Sequence, residues 1–304
     1  MLGPRAVRSE QGWRSLRLDG AGVLSHCPDL TVRVARDAEQ AEWCLIGLAV
    51  QSDPARPDPD DEIRAARTAA IPALTRAWVG RWLLVGAGHV YPDAAALRPC
   101  FFRRMPDGCW ASSSAALLAE HGGAEADPRL LAWGKGIEWY PPPESRFAGV
   151  RRLLPSQALE LAACEPAPWG FLPRPSSSRP YGETIALLEA RLVTALTRLP
   201  APRTLWLPTT AGIDSRVLLA IASHLGRPFQ SFTHERPHLP IADRFLPPKL
   251  ARSIGAAHRF VRPGRFSAAR EKKYDAHTGR QSVDADRGYY ARGQWNFLAA
   301  GDVV

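Results

Sequence analysis

The chain has 304 residues, which is long enough for two domains of ordinary size. Hydrophobic residues make up 45% and charged residues 23%, a balance typical of a globular protein and not of a disordered one. The net charge of +9 comes almost entirely from arginines spread along the chain, so nucleic acid is not the favoured partner, although a basic patch formed by folding would reopen that question.

No apolar run approaches the roughly 20 residues that cross a bilayer, and Met1 to Glu10 lack the apolar core of a signal peptide. The sequence therefore predicts a cytoplasmic protein without a membrane partner. The five cysteines contain no CxxC pair and their number is odd, which predicts reduced and mostly buried thiols.

The first half of the chain alternates short apolar segments with turns. A buried strand is predicted at Trp43–Val50, and apolar residues at helical spacing predict one helix over Asp60–Val79. Further along, we predict a strand at Trp82–Val85, a turn at Gly86–Gly88, a hairpin of Cys100–Arg103 with Trp110–Ser113, and a helix at Ser114–Glu120. Strands mixed with packed helices predict an α+β layered domain.

A composition shift separates this half from the next. The segment Glu165–Pro180 contains five prolines and a run of serines, so it is predicted to be an interdomain linker and not a helix or a central strand. The predicted division is a first domain over residues 1–164, a linker over 165–180, and a second domain over 181–304.

The second domain alternates helix and strand. An amphipathic helix is predicted at Tyr181–Leu199 because its leucines and isoleucine recur at helical spacing. It is followed by predicted strands at Thr204–Leu207, Phe229–Thr233 and His258–Val261, with helices Asp214–Leu225 and Ile241–Ile254 between them. This alternation predicts a parallel sheet of the doubly wound type.

The loop after the first of these strands carries the predicted chemistry. In open parallel sheets the ligand lies at the carboxyl ends of the strands, and a loop of small residues at a helix N-terminus offers free N–H donors to phosphate. The hydroxyls of Thr210 and Ser215 add donors, Gly212 allows close approach, and Asp214 can cap the helix or bind Mg²⁺. A plain N-cap without a ligand is the alternative interpretation.

The run Thr210-Ala211-Gly212-Ile213-Asp214-Ser215 resembles the SGGxDS pyrophosphate loop of the N-type ATP pyrophosphatases, and its flanks resemble the asparagine-synthetase branch. The resemblance implies a PP-loop domain that binds ATP and Mg²⁺, with Thr209 and His234 placed near the adenine. Two residues depart from the pattern. Thr210 keeps the hydroxyl of the usual serine, whereas Ala211 replaces a glycine and would be strained at a positive φ.

The first domain resembles the class II amidotransferase half of asparagine synthetases in four stretches. These are Gly80–Val85, Asp93–Pro99, Ala111–Ser114 and Phe147–Pro155. The resemblance implies an Ntn-type αββα-like sandwich. In that family the nucleophile is a cysteine directly after the initiator methionine, and Leu2 stands there in this chain. The first cysteine, Cys27, is far along the sequence, so we expect a degenerate domain without glutaminase activity and assign no catalytic residue.

The function implied by the resemblance is ATP-dependent amide formation from a small carboxylate and an amine through an acyl-adenylate, with asparagine or a related specialised amide as product. A homodimer is compatible with it. A tRNA-modifying PP-loop enzyme and an inactive nucleotide-binding interaction protein are the alternatives. The family continues into a further acidic, glycine-rich loop, so the chain is expected to be truncated at its C-terminus.

One motif is rejected on physical grounds. His234-Glu235-Arg236-Pro237-His238 spells the HExxH pattern of zinc proteases, which requires both histidines on one face of a helix. Pro237 opposes an unbroken helix, so a polar loop beside the nucleotide site is the preferred interpretation.

Overall fold

The computed structural model describes residues 1–7, 12–128, 142–169, 179–200, 204–235, 238–262 and 267–269. It is a mixed α/β structure with several sheets. The described residues divide into two compact units, one ending at Arg179 and the other beginning at Pro180.

Two antiparallel sheets form the first unit. The strands are β1 Leu2–Gly3, β2 Arg14–Leu18, β3 Gly22–His26, β4 Val32–Arg36, β5 Glu42–Gln51, β6 Trp78–Gly86, β7 His89–Pro92, β8 Phe101–Met105, β9 Gly108–Ser112, β10 Arg151–Arg152, β11 Gln157–Glu160 and β12 Glu165–Pro168. The first sheet has the order β10-β8-β9-β1-β3-β2, and the second has the order β12-β11-β7-β6-β5-β4.

The sheets pack face to face, and helices cover their outer faces. One core lies between the sheets and joins Leu24 and Phe102 of the first to Ile46 and Val85 of the second. A second core joins β5 and β6 to the helices α1 Pro59–Ala65 and α2 Ile71–Leu74. A third joins β9 to the helix α3 Ala115–Gly122. Because both faces of β5 are buried, its sequence is continuously apolar instead of alternating.

The prediction of one helix over Asp60–Val79 is wrong. The segment contains α1, α2 and two short 3₁₀ turns, and its last residues already belong to β6. Ala66 is extended at the end of α1, and Pro72 lies at the start of α2, where its missing N–H and fixed φ are tolerated. The helical spacing of apolar residues therefore reflects two separate helices packed on one sheet.

Glu165–Pro168, the beginning of the predicted linker, is ordered as β12. It pairs antiparallel with β11 from Gln157↔Pro168 to Glu160↔Glu165. Its prolines are compatible with pairing because β12 is an edge strand, where a missing N–H can face away from the ladder. Residues 170–178 of the predicted linker lie outside the described residues.

The turn at Gly86–Gly88 was predicted as a connection between strands, and the structure confirms it. Ala87 and Gly88 join β6 to β7 with φ of 49° and 75°. Two consecutive positive φ values are typical of the tight turns that close β-hairpins.

The second unit contains a parallel sheet of three strands in its described part, in the order β13-β14-β15. The strands are β13 Leu205–Pro208, β14 Phe229–His234 and β15 Ala257–Val261, and the helices are α4 Tyr181–Arg198, α5 Ile213–His224 and α6 Ile241–Ser253. Leu205 and Leu207 pack on one face of the sheet with α5, whereas Trp206 packs on the other face with Phe232. The predicted alternation and parallel pairing are confirmed to within one or two residues at each end.

No helix among the described residues is long and apolar enough to cross a membrane. All five cysteines are free thiols, and three of them, Cys44, Cys100 and Cys164, are buried.

Candidate phosphate-binding site

The candidate site begins where β13 ends. Thr209 is buried, and its backbone N–H donates to Phe232 O at 2.8 Å. Its carbonyl accepts from the hydroxyl of Thr233 at 2.5 Å, and its own hydroxyl donates to Leu207 O at 3.1 Å. Thr209 thus fixes the end of β13 to β14, and its side chain is engaged within the sheet.

The loop after Thr209 is held by its own hydroxyl groups. Thr210 N–H donates to Ser215 Oγ at 3.0 Å, and Gly212 N–H donates to Thr210 Oγ1 at 3.1 Å. The two hydroxyls lie 3.2 Å apart. These contacts turn the chain at the carboxyl end of the strand and direct it into α5, and they engage two loop N–H groups that the sequence predicts to be free donors.

Ala211 does not have the strained conformation that a positive φ would impose, because it is not among the described residues with positive φ. Its N–H donates instead to Asp243 Oδ1 at 2.6 Å, across 32 residues of sequence. Asp243 is half-buried in the first turn of α6. The helix predicted at Ile241–Ile254 contains Asp243, but its contact with the loop was not predicted.

The predicted alternation of parallel strands and helices contained an indication that Asp243 lies near the loop. The helices that follow parallel strands all begin at the carboxyl edge of the sheet, so an acidic residue in the first turn of α6 comes near the loop that starts α5. Only the pairing of β13 with β14 shows that the two loops are neighbours.

The N-terminus of α5 has the properties of an anion site. Its N-cap is Gly212, in extended conformation, with no side-chain hydrogen bond to the first turn. The helix dipole and the first-turn N–H groups therefore remain available to an anionic ligand. Asp214, in that first turn, is exposed.

At this loop Asp214 offers one carboxylate, so a divalent cation there would need further oxygen ligands from a substrate or from water. The described residues contain no group of three His, Cys, Asp or Glu side chains that could hold a metal ion. Mg²⁺ usually takes one or two carboxylates together with substrate phosphates and water. Asp214 fits that role when phosphate supplies the other oxygens.

His234 ends β14, the strand next to the loop-bearing β13. Its ring is half-buried and meets the Phe232 ring edge to face, with centroids 5.3 Å apart. Because His234 is in a strand, the helix that zinc proteases require is not formed at the first histidine of the HExxH pattern. The adenine contact of His234 stays a prediction.

In the first unit, Leu2 lies at the wall of a cavity of about 240 Å³. It is buried in β1, between β3 and β9, and Ser25, Arg98 and Ser112 also line the cavity. Two cysteines also line this cavity, Cys27 and Cys100. Cys27 is far from Leu2 in the sequence. The antiparallel pairing Leu2↔Leu24 brings Cys27 close to Leu2 in the fold.

The Cys100 thiol does not have the environment of an activated nucleophile. Burial raises the pKa of Cys100 to about 12, so this thiol stays protonated near neutral pH. Cys27 Sγ lies 4.0 Å from a carboxylate oxygen of Asp29.

Comparison with known proteins adds nothing to this geometry: no protein-family model and no curated protein matches the chain.

Proposed function

We propose that the chain is an ATP-dependent, asparagine-synthase-like enzyme that forms an amide through an acyl-adenylate. A carboxylate oxygen of the substrate would attack the α-phosphorus of ATP and release pyrophosphate. The nitrogen of an amine would then attack the acyl carbon and release AMP. A PP-loop domain of the adenine nucleotide hydrolase type and a degenerate Ntn-type amidotransferase-like domain belong to this proposal.

The observation that carries the proposal is the strand–loop–helix at residues 205–224. The loop lies at the carboxyl end of a parallel strand, Gly212 leaves the first turn of α5 without a side-chain cap, and Thr210 and Ser215 place two hydroxyls beside it. A site of this kind stabilises charge that develops on leaving pyrophosphate.

Each loop residue has a proposed part. Thr210, Gly212 and Ser215 bind the pyrophosphate oxygens, and Asp214 holds the Mg²⁺ that neutralises them. The ion would supply charge stabilisation at the phosphates when bound. Thr209 holds the start of the loop against β14 through its hydrogen bonds to that strand.

The amine donor is proposed to be something other than ammonia released from glutamine. Leu2 has no nucleophilic atom, and burial raises the pKa of the Cys100 thiol in the same cavity. The first unit would then act as a scaffold.

A nucleotide-binding protein without catalysis is the second candidate, and one observation favours it. The three loop N–H groups from Thr210 to Gly212 already donate to side-chain oxygens of this chain. Because these N–H groups already have hydrogen-bond acceptors within the chain, the loop can keep its conformation without taking part in catalysis.

ATP–pyrophosphate exchange distinguishes the two candidates. The protein is incubated with ATP, Mg²⁺, labelled pyrophosphate and a panel of carboxylates that includes aspartate. Exchange that depends on one carboxylate supports the synthetase, and it should be lost in Asp214→Asn but kept in Ser223→Ala, a control on the same helix. ATP binding without exchange supports the second candidate. Absence of ATP binding contradicts both.

A further inference from the structure

We propose that Asp243 makes the loop select the magnesium chelate of its phosphate ligand over the free anion. This inference rests on the proposed function, because it assumes that the loop binds phosphate. It adds a residue that neither the motif nor its flanks assign to the site.

The contact that carries the inference joins two loops of the second unit. Asp243 Oδ1 accepts the Ala211 N–H at 2.6 Å, a length typical of charge-assisted hydrogen bonds. The other two loop donors, Thr210 N–H and Gly212 N–H, are bonded to neutral hydroxyls of the same loop and helix. Asp243 is thus the charged acceptor among the three, and it comes from another helix.

The start of α6 explains why this carboxylate turns toward the loop. The N-cap of α6 is Pro240, which has no N–H, so Asp243 at the third helical position cannot close the usual capping box. Its backbone N–H bonds to Pro240 O at 3.0 Å, and no side-chain cap is formed at the N-cap. The carboxylate is therefore directed to Ala211.

The consequence is electrostatic. A carboxylate bound to one loop N–H places a negative charge at the edge of a site that is otherwise built for anions. Free pyrophosphate would be repelled by it. The magnesium complex carries less negative charge and brings a cation that Asp243 attracts, so the same carboxylate favours the chelate.

Two substitutions of Asp243 distinguish the effect of its charge from the effect of its hydrogen bond to Ala211. Asp243→Asn keeps an oxygen that can accept the Ala211 N–H but removes the charge. Asp243→Ala removes both. Asp61→Asn, at an exposed carboxylate in the first unit, makes the same change of net charge away from this loop and is the matched control.

The experiment is calorimetric titration of inorganic pyrophosphate, with and without Mg²⁺, into the full-length chain and each variant. The measured quantity is the ratio of the two affinities, which does not depend on the fraction of folded protein. We expect Asp243→Asn to bind free pyrophosphate about fivefold or more tightly than the unmodified chain, and the preference for the magnesium form to fall in both Asp243 variants. Asp61→Asn should keep the original preference.

An unchanged preference in both Asp243 variants, with binding intact, overturns this inference and leaves the proposed function standing. Absence of pyrophosphate binding in the unmodified chain and in every variant, under both conditions, contradicts the proposed function and this inference together. A weaker affinity for both forms in Asp243→Asn, with their ratio preserved, assigns Asp243 a purely structural role and also overturns the inference.

Discussion

The Ser231 hydroxyl lies 2.7 Å from Nδ1 of His258, across the parallel pairing of β14 with β15. Ser231 is fully buried, and His258 Nε2 is also shielded from solvent, with no hydrogen-bond partner among the described residues. This pair places a titratable ring within the sheet that carries the candidate site, so we expect the stability of the second unit to depend on pH.

Burial lowers the pKa of His258 below its ordinary value, because desolvation disfavours the charged ring. The unfolded chain then binds the proton more readily than the folded chain, so stability is constant above the unfolded pKa and falls as pH decreases below it. We expect the unmodified chain to lose more unfolding free energy than His258→Gln between about pH 7.5 and 5.5, measured by urea denaturation. Equal losses would contradict this assignment.

Glu62 is a second buried polar group with a testable role. Its carboxylate accepts from Gln51 Nε2 at 2.8 Å and Trp78 Nε1 at 2.5 Å, and it pairs with Arg56 at 2.5 Å. Glu62→Ala would leave these donors without an acceptor in the core, and we expect it to cost about 3–5 kcal/mol of unfolding free energy. Chemical denaturation measures the loss.

The control for Glu62 is its neighbour Asp61. That carboxylate is exposed and pairs with Arg64 within one turn of α1. Asp61→Ala should change the unfolding free energy by about 0.5 kcal/mol or less, because exposed ion pairs contribute little. If the two alanine variants had similar stabilities, the buried network would not be the cause.

Ser215 links the loop to α5, and its removal should affect the ligand more than the fold. Ser215→Ala removes the acceptor of the Thr210 N–H and one of the two loop hydroxyls. We expect the affinity for magnesium–ATP to fall about five- to thirtyfold, the equivalent of one or two hydrogen bonds. Calorimetry measures it, and Ser223→Ala on the same helix should bind as the unmodified chain does.

Gly86 and Gly88 flank one residue of the β6–β7 turn but should differ in their response to alanine. A Cβ at Gly86 would lie 2.3 Å from the Trp43 ring, which is fully buried. A Cβ at Gly88 would meet no atom within 4 Å, although φ is +75°. We expect Gly86→Ala to cost about 1–3 kcal/mol and Gly88→Ala about 1 kcal/mol.

Thermal melting of the two glycine variants provides the measurement. A larger loss in Gly88→Ala would mean that the turn conformation, and not the packing on Trp43, limits stability at this position.

The sequence by itself determined the local elements of this protein. Amphipathic spacing predicted α4, alternation of helix and strand predicted the parallel sheet, and small and hydroxyl residues after Leu207 predicted the loop at the start of α5. These features depend on neighbours within a few residues, so the sequence pattern contains them. The apolar spacing misled over Asp60–Val79, where two separate helices pack on one sheet, and the prolines of Glu165–Pro168 misled because β12 is an edge strand.

Only the tertiary structure decided which distant residues meet. Strand pairing brings Cys27 to the cavity beside Leu2, and it brings Asp243 to Ala211 across 32 residues. Such contacts depend on strand order and register, which no local pattern contains. The loop at Thr210 was therefore predictable from the sequence, whereas the charge that faces it was not.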